Sequence, residues 1–424
     1  MKIDKRAWRN GLLLSCLFAS RLHAQQAFSW EQIRDKFEKT NPALLSDQVN
    51  IDEARAQEIT AFLRPNPGFT FSTDGTQIAS SQGVWRPFIG TQFSSAIDYL
   101  HERQHKRELR LESAQKGTGI VTSTHADLER NLLFQLRNAF VQALQAKAFF
   151  DVAKQNLEYW DKEVAINRDR FTAGDLSKVD LSRIILQRAQ YQADFVNSQV
   201  SLRTAKIALL TLLNDRTPVE KFEVTGSYDF QEKLMRLEEF RQVALSMRPD
   251  LKAAMEAVDK AKTDNSLATA NGSTDPTFSV WWTHNPSFNN PYDNNALGAS
   301  VSIPLRIFDR NQGEKLRTKL DIDRADKSRM AAEAQVLSDV DTAYATLNST
   351  VELLLPYKQE YIPQATEVRD IVSFSYQRGG ASLLDFLDAQ KSYRDTQLNF
   401  VNLIGSYLAA ASQLNLAVGR EVIQ

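Results

Sequence analysis

Apolar residues recur along this chain with two periods, one helical and one of two, and the periods alternate in a fixed order. Over residues 29–63 the apolar positions fall at helical spacing with Ala- and Gln-rich fill, and Pro42 interrupts them, which predicts two helical pieces. Pro65 and Pro67 close that segment. The stretch PGFTFSTDG (67–75) then alternates Phe69 and Phe71 with Thr70 and Ser72 ahead of a turn at Asp74 and Gly75, which predicts a strand with one apolar face. A second strand is expected over 88–99, with Ile89, Phe93 and Ile97 on one side and Gln92, Ser94 and Ala96 on the other. From about His101 the helical period returns and holds to Phe171, broken only near Gly117 and Gly119. Some 70 residues at about 1.5 Å each reach on the order of 100 Å, several times the depth of a compact domain. Gly174 supplies a left-handed stop and Ser177 an N-cap, so a returning helix to about Leu213 completes a long antiparallel hairpin over 101–213.

The same order then repeats. Residues 214–236 are polar, contain a proline and carry a β-prone FEVTG, which predicts an equatorial linker. A helix is expected over 237–270, strands at about 276–284 (Phe278, Val280 and Trp282 against Thr277 and Ser279) and 296–305 (Leu297, Ala299, Val301 and Ile303 against Ser300 and Ser302), and a helical hairpin at about 312–416 with interruptions at Pro356 and Pro363. Gly174, Ser177, Asp180 and Phe195-Val196-Asn197 recur as Gly379, Ser382, Asp385 and Phe400-Val401-Asn402 at one constant offset without a gap. The chain is therefore read as a duplicated helix-strand-strand-helix plan, with repeats over 25–213 and 237–424.

Composition narrows what such a plan can be. The first 24 residues carry Lys2, Lys5, Arg6 and Arg9, an apolar run GLLLSCLFAS and a small-residue exit at Ala24, the pattern of a secretory signal peptide. Its removal leaves 46 of the 51 basic residues and 51 of the 52 acids, a mildly acidic chain without a basic stripe for nucleic acid. The single cysteine, Cys16, lies within the signal, so the exported chain has no disulfide; LLSC at 13–16 has only about five apolar residues before it, short of a lipidation signal. No window approaches 18 uninterrupted apolar residues, so a membrane crossing by this chain has to use strands. Four strands of about ten residues suit a tilted crossing, yet a closed barrel needs at least about eight, so copies of the chain must pool their strands, and twelve from a trimer is the simplest closure. Trp85, Trp281, Trp282 and Tyr292 near strand ends fit an interfacial aromatic belt.

These residues resemble the TolC-like outer-membrane efflux proteins, the outer membrane factors of tripartite pumps. The resemblance covers nearly the whole mature chain and rests on the duplicated plan, on SIPLRIFDRNQGE (302–314), where the second strand pair passes into a long helix, and on YQRGGASLLDFLDAQKSY (376–393) at the second hairpin tip. It implies a mainly α fold with a membrane β-barrel: a homotrimer with a 12-stranded barrel in outer-membrane lipid and long helical hairpins forming an α-barrel through the periplasm. The implied function is the passive exit duct of an efflux pump, with a periplasmic adaptor (membrane fusion) protein and an inner-membrane pump as partners. By the same resemblance Asp385 and Asp388, three apart and on one helical face, form the channel constriction, where three copies set six acids around an axis and favour cations. The alternative is that Asp385 only caps its helix, since Asp180 repeats it while Arg183 replaces Asp388. The hairpin turns Ala173-Gly174-Asp175 and Arg378-Gly379-Gly380 are the expected adaptor-docking tips, although only their glycines agree with the family's Val-Gly-Leu or Val-Gly-Thr turns.

No catalytic constellation accompanies this plan, so no enzyme activity and no cofactor is expected. His101 and His105 are four apart but lack suitable partners, and no metal site is assigned. Without a phosphate-binding glycine loop, energy for transport must come from a partner. The rival classes are a periplasmic adaptor, whose β regions should be soluble barrels, and a coiled-coil scaffold of an envelope complex, which would lack the strand pairs. Cargo stays open between metal ions, drugs and other small organic compounds, with 302–314 most like members that accompany heavy-metal pumps.

Overall fold

The computed structural model describes residues 27–285 and 294–423, so Cys16, the signal segment and Tyr292 lie outside the described residues. In chain order the elements are β1 (Ala27–Phe28), α1 (Trp30–Thr40), α2 (Pro42–Phe62), β2 (Gly68–Asp74), β3 (Gln92–Leu100), α3 (Lys106–Ala173), α4 (Lys178–Leu212), β4 (Glu223–Val224), α5 (Leu237–Met247), α6 (Pro249–Asn271), β5 (Thr277–His284), β6 (Asn295–Ser302), α7 (Gln312–Pro356), α8 (Ile362–Gln377) and α9 (Leu383–Val418). Ser29 starts α1 with a reciprocal capping box to Gln32, and Asn41 caps α2 ahead of Pro42 at its first turn.

The long helix α3 runs 68 residues without a break at Gly117 or Gly119. A glycine costs about 1 kcal/mol in a helix interior, and both lie along the flank of α6, where Ser113 and Ser123 also hydrogen-bond Asp264 (2.5 Å) and Glu256 (2.8 Å). The expected start near His101 moves to Lys106, because Gln104 and His105 both adopt left-handed backbone. In the second repeat the helix does not stop at its prolines: a wide π turn, Tyr357–Tyr361, joins α7 to α8 between Pro356 and Pro363, absorbing their missing donors.

Among the described residues three apolar cores hold the helices. At the waist, β1 pairs in parallel with β4, and Ile33, Phe37, Leu136, Leu209 and Phe222 close over them. Beside it, Phe240, Val340, Leu347, Tyr407 and Leu414 join α5, α7 and α9. Arg248, buried at the α5–α6 junction, ties these helices together through Asp250 (2.5 Å), Asp339 (2.8 Å) and the Ala417 carbonyl (3.2 Å). The third core lies at the hairpin ends.

The four long strands form one antiparallel sheet in the order β2-β3-β5-β6, so the two strand pairs merge through β3 and β5. Its register collects Phe69, Phe71, Phe93, Ile97, Tyr99, Phe278, Val280, Trp282, Leu297, Ala299 and Val301 on one face. The other face holds Thr70, Ser72, Gln92, Ser94, Asp98, Ser279, Thr283, Ser300 and Ser302. No core covers the apolar face: Phe69 is 70% exposed and Leu297 79%.

Several strand expectations shift. β3 begins at Gln92, not Phe88, because Gly90 turns left-handed and Thr91 Oγ1 donates to the Pro87 carbonyl (3.1 Å); Ile89 therefore precedes the strand. β6 stops at Ser302, before Pro304 removes a ladder donor. Trp281 does not belong to an outward belt: it stands on the polar face, packed over Gly298, whose hydrogen leaves the room that a Cβ would fill. Trp282 lies on the apolar face, and Trp85 sits in the loop before β3 with its Nε1 donating to the Gln77 carbonyl (3.3 Å).

The register also grades the apolar face by depth. Ile97, Val280 and Ala299 lie side by side near mid-strand with Phe69 paired beside Ile97 at the start of β2, whereas Phe93 and Val301 lie toward opposite ends. Arginine at Ile97 or Val280 should cost about 2 to 4 kcal/mol, at Phe93 or Val301 roughly 0 to 1, and Ser300→Arg or Gln92→Arg little. Chemical unfolding in lipid vesicles checks the order, and equal tolerance at all these sites would contradict it.

Candidate functional site

The two hairpin turns are built alike. Gly174 adopts φ 87° and donates to the Phe171 carbonyl (3.1 Å), while the Asp175 N–H reaches the Arg170 carbonyl (2.9 Å). Gly379 (φ 81°) and Gly380, whose N–H donates to the Ser375 carbonyl (2.8 Å), do the same for α8. Ser177 and Ser382 then cap α4 and α9. Ala173, Gly174, Asp175, Arg378, Gly379 and Gly380 are all exposed, at adjacent ends of the same pair of hairpins.

Asp385 is the third residue of α9 and closes a capping box: its carboxylate accepts from the Ser382 hydroxyl (2.7 Å) and N–H (3.2 Å), and its own N–H donates to Ser382 Oγ (3.2 Å). The Ser382 hydroxyl and backbone N–H hold this carboxyl below the usual aspartate range. Asp388 lies one turn on, exposed, with no ion pair among the described residues. Between them Phe386 is buried, as are Leu383 and Gln390, so the first turns of α9 set one face against the neighbouring hairpin and leave Leu384, Asp385 and Asp388 on the open face. In the first hairpin Asp180 bonds Ser177 in the same way (2.8 Å) but also faces Arg183 at 3.7 Å.

Behind these turns the hairpins are joined by an aromatic and polar core that the sequence reading did not identify. Tyr376 stacks on Phe386 (4.7 Å between centroids) and Trp160 on Tyr191 (5.2 Å), with Trp160 against Phe386 at 5.9 Å. The Tyr376 hydroxyl donates to Asn167 Oδ1 (3.2 Å), whose amide donates to the Glu163 carbonyl (2.9 Å). Gln390 Nε2 donates to the Tyr159 hydroxyl (2.8 Å) and to Ser373 Oγ (3.0 Å). Glu163 is buried among these groups, and burial pushes its carboxyl up, opposed by the Tyr159 hydroxyl and by Arg170. The legible signal was positional: Trp160, Glu163, Val164 and Asn167 share one helical face, so two polar side chains stand where the core must be.

His101 and His105 do not converge on a shared partner; His105 has left-handed backbone and His101 lies edge-on to Phe278. Among the described residues no group of three or more His, Cys, Asp and Glu is arranged to hold a metal ion, and no helix is long and apolar enough to cross a membrane.

Residues 240–420 match the outer membrane efflux protein family. The cobalt-zinc-cadmium resistance protein CzcC of Cupriavidus metallidurans is 22% identical over 74% of this chain and 74% of its own. The outer membrane protein TolC of Vibrio cholerae is 21% identical over 96% of this chain and 94% of its own. Among solved structures, CusC superposes with a TM-score of 0.76 at 16% identity, covering 92% of both chains. VceC of Vibrio cholerae gives 0.71 at 18%, covering 92% of this chain and 96% of its own.

Glu163 yields a test of the tip core. A carboxyl raised by burial binds its proton more tightly in the folded protein, so its ionisation costs stability as pH rises from the ordinary glutamate value through its raised folded one. Glu163→Gln, which keeps an acceptor for Tyr159 without the charge, should raise the thermal midpoint at pH 8 and weaken its fall as pH rises above the ordinary glutamate range. A lower midpoint at both pH values would show that the ionised carboxylate is stabilising.

Proposed function

We propose that this chain is a TolC-like outer-membrane efflux protein, an exit channel with a long periplasmic helical part, as the match over 240–420 and the likeness to TolC and CusC support, and that three copies of it complete one continuous duct. The observation that carries the reading is the four-stranded sheet, apolar on one face, polar on the other and, among the described residues, unpaired at the outer edges of β2 and β6. Unpaired backbone in hydrocarbon costs several kcal/mol per group, so β6 of one copy pairs with β2 of the next until twelve strands close. The polar face, with Trp281, then lines the lumen. The helical hairpins of three copies surround the same axis below and carry the duct through the periplasm.

The exposed turns at Ala173-Gly174-Asp175 and Arg378-Gly379-Gly380 are the docking tips for a periplasmic adaptor, which links the duct to an inner-membrane pump. Because both turns are held by caps and not by side-chain specificity, adaptor recognition rests on backbone shape and on the flanking Arg378 and Asp175. Asp385 and Asp388 form the constriction. Threefold repetition of two exposed carboxylates makes a cation-attracting mouth, and the duct itself needs no cofactor and no resident metal.

A heat-resistant trimer in detergent extracts of the outer membrane is the expected state, read by gel mobility before and after boiling. A soluble periplasmic monomer, as an adaptor or scaffold would give, contradicts the reading.

The constriction has its own test. In planar bilayers, Asp385→Asn with Asp388→Asn should leave the trimer assembled and lower cation preference. Wild type should lose preference as pH falls below about 5, as carboxylates protonate, and the double variant should not respond. Ser382→Ala removes the hydroxyl bond, the larger of the two that hold Asp385 low, and keeps the backbone one, so the loss of preference should move to somewhat higher pH, along with a loss of about 1 kcal/mol of cap stability. Equal ion preference in wild type and double variant would leave Asp385 as a cap alone.

A further inference from the structure

Below the sheet, the chain leaves the apolar face through a band of arginines and exposed apolar residues that the duct does not use. Tyr99 is the last apolar-face residue of β3 that pairs with β5, opposite Phe278. His101 continues on that side, its ring edge-on to Phe278 at 6.4 Å and its N–H on the Pro276 carbonyl (3.0 Å). Directly beneath opens a cleft of about 440 Å³ lined by Arg64, Tyr99, His101, Arg103, Lys106 and Arg107. Its acids are already engaged, Glu102 by Arg110 and Glu108 by Arg107 (2.9 Å). Lys106 is spent on Asp275 (2.5 Å) and the Ser273 carbonyl (3.1 Å), and Arg107 lies over the Phe62 ring at 4.3 Å. Arg64 and Arg103 are exposed, and neither side chain has an ion pair or hydrogen bond among the described residues.

The second repeat presents matching chemistry at the corresponding exit. Leu305 is 80% exposed and Phe308 91%, with Ile303 and Ile307 also exposed, and Arg306 and Arg310 stand among them. The Arg306 Nε is buried without a hydrogen-bond partner among the described residues. A water-facing surface does not gather such apolar side chains without covering them. At a bilayer surface the arrangement is favourable: apolar groups enter the acyl boundary while guanidinium forks meet phosphate bidentately.

We propose that this collar binds the headgroups of anionic phospholipid in the periplasmic leaflet, with Arg64 and Arg103 as the cleft's phosphate ligands and Arg306 and Arg310, flanking Phe308, as those of the second exit. The inference rests on the reading that the sheet crosses the outer membrane. Continuity with the apolar face selects a lipid over a soluble protein, and the unpaired guanidiniums of Arg64 and Arg103 select anionic over zwitterionic headgroups, whereas at the second exit Asp309 lies between the two arginines.

The full chain, purified in neutral detergent, is loaded from mixed micelles with phosphatidylglycerol or phosphatidylcholine, and retained lipid is counted by native mass spectrometry. Wild type should keep phosphatidylglycerol several-fold in excess. The combined Arg64→Gln, Arg103→Gln, Arg306→Gln and Arg310→Gln variant should bring the two lipids level at unchanged oligomer mass. In vesicles, Phe308→Trp fluorescence should be quenched by lipids brominated near the glycerol. Equal retention by wild type, undiminished preference in the variant, displacement by excess inorganic phosphate, or an unquenched tryptophan would each overturn the proposal while a trimer in the same spectra leaves the channel reading intact. Absence of any trimer would remove both.

Discussion

Backbone hydrogen bonding at the two ends of the sheet is the constraint on which the rest of this molecule depends. A sheet of four strands with one apolar face is stable neither in water, where that face has no cover, nor alone in lipid, where β2 and β6 would each present a row of unpaired groups. Side chains cannot repair this, because the missing partners are main-chain. The proposed closure by symmetry would repair both faults at once, since it would pair the edges and turn the polar face away from lipid. The helices would inherit the same symmetry, because β3 passes into α3 and β6 into α7 through short connections. Long hairpins that are only half covered within one chain would then find neighbours for their exposed flanks.

What the sequence disclosed follows from which forces are periodic. The alternation of Phe69, Phe71, Val280 and Val301 with hydroxyl-bearing residues reports a face, and a face survives small errors in strand ends. The ends shift wherever one backbone angle decides the matter, as at Gly90 before β3 and at Gln104 and His105 before α3. Gly117 and Gly119 act in the opposite sense, because packing against α6 outweighs the local preference that a glycine expresses. Trp281 departs from the expected belt because its parity along β5 sets it on the polar face, across from Gly298.

The tips were legible at the level of turns and not at the level of what joins them. A left-handed glycine followed by a serine cap is a local signal, so Gly174-Ser177 and Gly379-Ser382 could be read one hairpin at a time. The core linking Glu163, Asn167 and Tyr159 to Tyr376 and Gln390 needs two segments more than 200 residues apart, as the 209-residue separation between Asn167 and Tyr376 illustrates. Only the polar residues on the otherwise apolar face of α3 betray it. Buried polar groups of this kind specify which hairpin meets which, because each mismatch would leave a desolvated donor or acceptor.

Duplication makes the division between structure and function visible within one chain. Both copies retain the glycine turn, the serine cap and the first aspartate, because any helix that restarts after a left-handed turn needs its free N–H groups met. They part company one helical turn later, where the fold demands nothing of an exposed side chain. In the first hairpin Arg183 stands there and draws in the Asp180 charge at 3.7 Å, so the tip is nearly neutral. In the second, Asp388 stands there without a counter-ion among the described residues, so two carboxylates act outward together. The second copy is also the one whose helix carries the π turn between Pro356 and Pro363, which widens its hydrogen-bond ladder where that of α3 is uninterrupted. A capping requirement cannot account for Asp388, since Asp385 already satisfies it; its charge meets no counter-ion among the described residues and is free to act at a distance.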